Sequence, residues 1–408
     1  RRKLYSVFMS FNFNQNILGV IPLIFFIVFS IQPLKACKLW SVCTKSTYTF
    51  SNLSIDESLE IENQLTTFFY QSETLLDGWS LLGYGDSDSD SLKPIYRSNR
   101  PATQDSALYW SAVETLLNDS PNRIGLGHLR IASSGANTIA NPHPWMFYDS
   151  GRSFSLVHNG TVNKDVLYNL ITNYQTDLSW IESHPPQTFD GGDWRNIGWA
   201  NVVDSELILL FLMQNIATEN NIILGLQMAL GRLVDVGIPA SQLNLIFSDG
   251  EILFVFGGND GLYFAESSEF FSVMTSPDYT GGLNWTTIND RELLMFSHFG
   301  FERYPNFVSS ASDEDVIISP NYFTMGNAYP NPFNGSISFS IDGVTSGPVQ
   351  ISIFSVNGKM VQQYNIPGLD NESRVVQWQP TRDIATGTYI VHTRSNQIVN
   401  SKKILFIK

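Results

Sequence analysis

The chain has 408 residues, 43% hydrophobic and 15% charged, a composition that supports two or three domains with full cores. A formal net charge of −14 excludes the basic footprint of a nucleic-acid binder and a polybasic attraction to anionic lipid.

Residues 1–36 read as an export signal. Arg1, Arg2 and Lys3 supply positive charge, ILGVIPLIFFIVFSI (17–31) is the apolar centre, and QPLKA ends on a small residue. The apolar run is shorter than the ~20 residues of a spanning helix, and Pro22 interrupts it. No stable membrane span is therefore expected in the mature chain. The two cysteines, Cys37 and Cys43, follow at once. Export brings an oxidising compartment in which cysteines pair. However, CKLWSVC reads as a strand, which would hold the thiols too far apart to bridge, so a free Cys37 is expected.

From Cys37 to about Val308, helical and strand patterns mix. ESLEIENQLTTFFYQSETLL (57–76) has helical spacing of apolar residues. DSELILLFLMQNIA (204–217) reads as a buried helix with Asp204 and Ser205 at its cap. LNLIFSDGEILFVFGG (243–258) reads as a hairpin around Ser-Asp-Gly, and FFSVMTSP and ELLMFSHF as further strands. DSDSDS (86–91) lacks the central Gly and terminal Glu of a calcium loop and reads as a solvated loop. Residues 182–199, rich in Pro, Gly and Trp, read as a long ordered loop of the kind that often serves as a lid. The fold class expected over 37–308 is α+β.

Composition changes near residue 309. A polar linker over 309–324 precedes a region without helical period. SISFSI, VQISIFSV, RVVQWQ, TYIVHTR and KKILFIK alternate as short strands, with Asn357-Gly358 as a turn. Residues 325–408 are therefore expected to form a small all-β sandwich.

If cleavage falls after Ala36, Cys37 gains a free α-amine with a reference pKa of about 7.7–8.0. Such an amine can take the proton of its own thiol, so one residue supplies nucleophile and base. Leu-x-Ala-Cys also fits a lipoprotein box, in which the cysteine is lipidated and its amine acylated. The tetrapeptide leaves both readings open.

Further motifs follow CKLWS in the order DGWSLLGYGD (77–86), GLGHLRIASSG (125–135), NPHPW (141–145), LVHNGTVN (156–163) and VDSE (203–206). Together they resemble the class II glutamine amidotransferases, whose domain belongs to the N-terminal-nucleophile hydrolases. The resemblance spans about residues 37–300 and implies a four-layer αββα fold. It makes Cys37 the nucleophile that forms a γ-glutamyl thioester, and Asn159 and Gly160 the oxyanion hole. Arg130 becomes the clamp on the substrate α-carboxylate, and Asp204 the acceptor for its α-ammonium. A planar guanidinium fork suits a carboxylate, and amide donors suit a developing oxyanion. No cofactor or metal is implied.

Plainer readings exist for each residue taken singly. Asp204 could serve only as a helix cap, Arg130 as a surface ion-pair partner, and NGT (159–161) is a common chance sequon. His128 and His158 read as core histidines. The departures, Trp79-Ser80, Asn141-Pro142-His143-Pro144 and Ser133-Ser134, fall where relatives line the substrate pocket. They bear on substrate preference more than on the nucleophile.

NAYPNPFNGSISFSI, VQISIFSVNGKMVQQY, WQPTRDIATGTYIVHTR and SKKILFIK resemble the C-terminal sorting domain of type IX secretion cargo. That implies the type IX secretion machinery as a partner and a secreted or cell-surface location after signal cleavage. The combined expectation is an exported glutaminase-type amidohydrolase acting on glutamine or another small-molecule γ-glutamyl amide. The alternatives are an N-terminal-cysteine acylase with another amide substrate, and a surface lipoprotein or binding module without catalysis.

Overall fold

The computed structural model describes residues 36–308 and 322–408, apart from 86–94, 120, 134, 136–142, 150, 188–193, 259–260, 327, 346, 357–358, 370–372 and 396–397. Residues 1–35 of the expected export signal, the DSDSDS run, residues 309–321 of the expected 309–324 linker and the expected Asn357-Gly358 turn lie outside the described residues.

Strand alternation builds the layers. In β1 (Lys38–Thr44), Trp40 and Val42 pack to one side and Leu39 and Cys43 to the other, as a period of two requires. β1 is central in a seven-stranded antiparallel sheet with β2 (Trp79–Gly85), β3 (Tyr96–Ser98), β4 (Asn122–Leu129), β9 (Tyr263–Glu266), β10 (Phe270–Met274) and β11 (Thr286–Thr287). The order is β11-β9-β10-β1-β4-β2-β3. A second sheet, β13-β12-β8-β7-β6-β5, comprises β5 (Trp145–Asp149), β6 (Arg152–Asn159), β7 (Asn244–Ser248), β8 (Leu253–Gly257), β12 (Glu292–Ser297) and β13 (Gly300–Tyr304).

Three apolar layers separate four structural ones. Helices α1 (Ile55–Gln71) and α2 (Ser106–Glu114) bury Ile61, Leu65, Phe68 and Tyr109 against Trp40, Trp79 and Leu81 of the first sheet. Leu39, Leu82 and Leu126 meet Val157, Ile246 and Val255 between the sheets. On the far side, α3 (Lys164–Ile171), α5 (Asp204–Glu219) and α6 (Ile222–Asp235) cover Leu156, Leu245 and Phe247. The short α4 (Ser179–Ser183) adds Ile181 to that layer. The result is the αββα sandwich. α5 is apolar nearly all round because it lies between the second sheet and its neighbouring helices, with residues from Asp204 to Met213 all buried. It stops at Asn220, whose φ of 48° is left-handed, a conformation that Asn tolerates. Asn221 then caps α6, accepting from the Leu224 N–H at 3.0 Å.

The C-terminal region is an all-β sandwich. β14 (Tyr322–Met325), β15 (Ile337–Val344) and β18 (Arg374–Trp378) face the sheet β17-β16-β19-β20, made of β16 (Val349–Ser355), β17 (Met360–Ile366), β19 (Gly387–Ser395) and β20 (Ile398–Phe406). Phe323, Ile337, Phe339, Ile351, Trp378, Val391 and Ile404 fill the space between. Hydrophobic alternation misses two strands of this sandwich. β14 begins at Tyr322, inside the 309–324 stretch expected as linker, and pairs with β15. β17 is an edge strand with no fully buried residue, so MVQQYNI carries little apolar signal. Among the described residues no helix is long and apolar enough to cross a membrane.

Candidate active site

Cys37 precedes β1, two residues before inward-facing Leu39. Its Sγ donates to the Ile131 carbonyl oxygen at 3.5 Å and accepts from the Ile131 N–H at 3.4 Å. The pairing of Lys38 with Leu129 across β1 and β4 brings these segments together. Cys43 lies within β1, buried, and both cysteines are free thiols.

The Asp-Gly-Trp turn holds the next element. Asp77 N–H donates to the Arg130 carbonyl at 3.2 Å, and Arg130 N–H donates to the Gly78 carbonyl at 2.9 Å. The Asp77 carboxylate accepts from Ala132 N–H at 2.7 Å. Gly78 sits at φ 120°, where a Cβ would be strained. The motif therefore fixes the backbone of residues 130–132 from two sides. Arg130 is buried to 4% exposure. Burial lowers its pKa, opposed by the charges of Asp77, Cys37 and Asp204, all close enough to act on it.

The other wall is the end of β6. Val157 faces the space between the sheets and Leu156 the helical layer. Alternation therefore sends Asn159 inward and His158 toward α5. Asn159 opposes Asn244 on β7 and is half-buried. Gly160 has backbone of Gln242 directly beside its α-carbon and no room for a side chain. Thr161 N–H donates to Gln242 Oε1 at 2.8 Å, and its hydroxyl to Ser133 Oγ at 2.9 Å. Val162 N–H donates to Asp204 Oδ2 at 2.8 Å.

That last bond corrects the capping expectation. Val203 is the N-cap of α5, and Asp204 is its first residue, with its carboxylate turned across to the 159–162 segment. The contacts thus link the motif residues in a chain: Cys37 to Ile131, Ser133 to Thr161, and Val162 to Asp204. Among the described residues, no hydrogen bond from the Asn159 side chain forms part of it.

Burial pushes the Cys37 thiol above its ordinary pKa, the Ile131 backbone and Arg130 pull it down, and Asp204 pushes it up. The net rise keeps the thiol protonated until a base acts on it. A guanidinium and a carboxylate that both act on one thiol are the two charges that a free amino-acid head group needs. Lys38 points elsewhere, with Nζ on Ser276 Oγ at 2.6 Å.

Three histidines back the site. His128 and His143 lie with ring centroids 4.1 Å apart, and His143 Nδ1 accepts from His158 N–H at 3.3 Å. All three are buried. Burial, with Arg130 and His158 nearby, holds the pKa of His128 down at about 3. Burial likewise holds His143 well below its usual value. Gln242, which touches Gly160 and Thr161, belongs to no motif singled out in the sequence, and Ser205, which touches His158, stands in the VDSE run but reads there only as part of a helix cap. Of the departures, Ser80 is buried opposite His128, whereas Asn141 and Pro142 lie outside the described residues.

The family of class-II glutamine amidotransferases matches residues 52–280, and the secretion system C-terminal sorting domain matches residues 327–408. An uncharacterised protein of Methanocaldococcus jannaschii is 24% identical over 223 residues, 54% of this chain and 50% of that protein. A probable glutamine–fructose-6-phosphate aminotransferase (isomerizing) of Acanthamoeba polyphaga mimivirus is 25% identical over 220 residues, 49% of this chain and 35% of that protein. The chain thus spans half or less of the length of these curated relatives. Among solved structures, a glutamine aminotransferase class-II domain protein from Silicibacter pomeroyi has 17% identity and a TM-score of 0.39, covering 67% of this chain and 100% of that one. A structure from Pseudomonas aeruginosa, titled as a predicted glutamine amidotransferase, has 15% identity and a TM-score of 0.33, covering 65% and 94%.

Proposed function

Since this chain belongs to the class II glutamine amidotransferases and carries a type IX sorting domain that marks it as secreted or cell-surface, we propose that it is an exported glutaminase-type amidohydrolase with Cys37 as nucleophile. In this reading, removal of residues 1–36 frees the Cys37 α-amine. The catalytic domain is 37–308, and residues 325–408 are the domain read by the secretion machinery.

The observation that carries the reading is the setting of the thiol. Its hydrogen bonds go to the backbone of Ile131, burial keeps it protonated, and Arg130 and Asp204 act on it with opposite signs. A base must come from close by, and the freed α-amine, at about 7.7–8.0, is matched to working pH.

Chemistry follows from those parts. Arg130 holds the α-carboxylate and Asp204 the α-ammonium of glutamine. The amine takes the thiol proton as sulfur attacks the γ-carbonyl carbon. The Asn159 side-chain amide and the Gly160 N–H donate to the resulting oxyanion, a contribution of about 3–4 kcal/mol per donor where measured elsewhere. Collapse breaks the C–N bond, and the ammonium returns its proton to the leaving nitrogen, releasing ammonia. Water, deprotonated by the same amine, attacks the γ-glutamyl thioester, releases glutamate and restores the thiol. The balance is glutamine plus water to glutamate plus ammonia. Ammonia release from glutamine by the mature protein, absent in Cys37→Ala, tests it. Turnover of simple amides but not of glutamine would favour the acylase alternative.

A further inference from the structure

His158 lies on the opposite side of β6 from the proposed reaction centre, yet both of its ring nitrogens are engaged. Nε2 is 2.7 Å from the Gln242 carbonyl oxygen and Nδ1 is 2.9 Å from Ser205 Oγ. A carbonyl oxygen only accepts, so Nε2 carries the proton. Nδ1 of the neutral ring then accepts from the Ser205 hydroxyl. Burial favours that neutral form.

Each partner leads into the site. Gln242 closes a 3-10 turn, Ala240–Gln242. Its carbonyl lies against Gly160, and its side-chain oxygen accepts from Thr161 N–H. It is a shelf under the two residues after Asn159. Ser205 is the neighbour of Asp204 in the first turn of α5, and Asp204 is itself bonded to Val162. One imidazole therefore ties the shelf, the end of β6 and the start of α5.

We propose that His158 is a positioning residue that holds the Gln242 shelf beneath the Gly160 peptide and the Asp204 end of α5 in one fixed relation, so that oxyanion hole and amine acceptor act on the same substrate. This rests on the glutaminase reading above. The two nitrogens serve different parts. The Nε2 bond supports a donor that acts on developing charge, and the Nδ1 bond supports a group that binds the ground state. Loss of the first should lower kcat. Loss of the second should raise KM.

The test uses mature full-length protein with glutamine as substrate. His158→Asn keeps an acceptor near the Nδ1 position and removes the donor to Gln242. Ser205→Ala removes only the hydroxyl. His158→Gln keeps the reach to Gln242 and loses the acceptor for Ser205. His158→Asn is expected to lower kcat about 10- to 100-fold with KM changed less than about threefold. Ser205→Ala and His158→Gln are expected to raise KM about tenfold and to hold kcat within about threefold. Losses in kcat and KM that move together in all three variants, in step with the fall in Tm, would overturn the proposal by making His158 a packing residue. Cys37-dependent ammonia release by the parent protein separates this outcome from failure of the glutaminase reading. Where the parent releases none, amide hydrogen exchange decides. Faster exchange over residues 159–162 in His158→Asn than in Ser205→Ala supports the positioning role, and equal exchange refutes it.

Discussion

A methyl group on the Gly160 α-carbon would lie 2.1 Å from the Gln242 carbonyl oxygen. Real Cβ atoms do not approach backbone so closely, and neither partner is a flexible tip that could yield. Gly160→Ala must therefore move the β6 end or the Gln242 turn. The expected cost is at least about 2–3 kcal/mol, a fall in Tm of roughly 5–10 °C, with glutamine hydrolysis lost. Gly231, inside α6, has nothing within 4 Å of its Cβ position. Gly231→Ala should be neutral or stabilising by up to about 1 kcal/mol. Thermal melts of the two variants check the contrast.

The two thiols should separate cleanly. Burial raises Cys43 to about 12, and its side chain is packed between the sheets. Cys43→Ala should keep most activity and lose about 1–2 kcal/mol of stability through the small cavity. Cys37→Ala should lose activity. Alkylation of the native protein should mark Cys37 and spare Cys43, as peptide mass spectrometry would report. Equal loss of activity in both variants would point away from a single nucleophile.

Arg130→Lys tests head-group recognition. A lysine retains the charge but not the two-pronged fork. It should lower kcat/KM for glutamine by at least about tenfold, because a buried carboxylate left partly unpaired costs more than a lost surface pair. A simple amide without an α-carboxylate, if hydrolysed at all, should lose much less. Comparable losses on both substrates would assign Arg130 a structural part.

The buried histidines set the acid side of the stability profile. His128, at about 3 in the folded state, and His143, well below its usual value, stay neutral when folded but titrate near 6.5 when unfolded. Between those values the unfolded chain binds more protons, so acidification favours it. The stability from keeping both rings neutral is complete above about pH 6.5 and is lost as pH falls toward 3. Urea melts at pH 7.5, 6 and 5 should show a declining free energy of unfolding. A rise over that range would contradict the neutral cluster.

Much of the candidate site is legible in the sequence because its pieces are short, local motifs. Asp77-Gly78, Arg130, Asn159-Gly160 and Asp204 each stand inside a quotable run. α5 and the β7–β8 hairpin were legible from unbroken apolar stretches and a Ser-Asp-Gly turn. Gln242 was not, because it acts mainly through a backbone carbonyl and sits in a turn without a pattern. The capping reading of Asp204 fails because it assumes that an Asp at a helix start bonds its own helix. Here the carboxylate accepts from the Val162 N–H instead. In the sequence alone His158 reads as a core histidine. Burial fits that description, and the ordering role depends on Ser205 and Gln242, which lie 47 and 84 residues away.

The N-terminal peptide of the exported protein tests the central claim most directly. Mass spectrometry should find Cys37 as the first residue with an unmodified α-amine, and after a brief quench with glutamine the same peptide should carry the added mass of a γ-glutamyl thioester. An acylated or lipidated Cys37, or a mature chain that still begins upstream of it yet hydrolyses glutamine, would contradict the account.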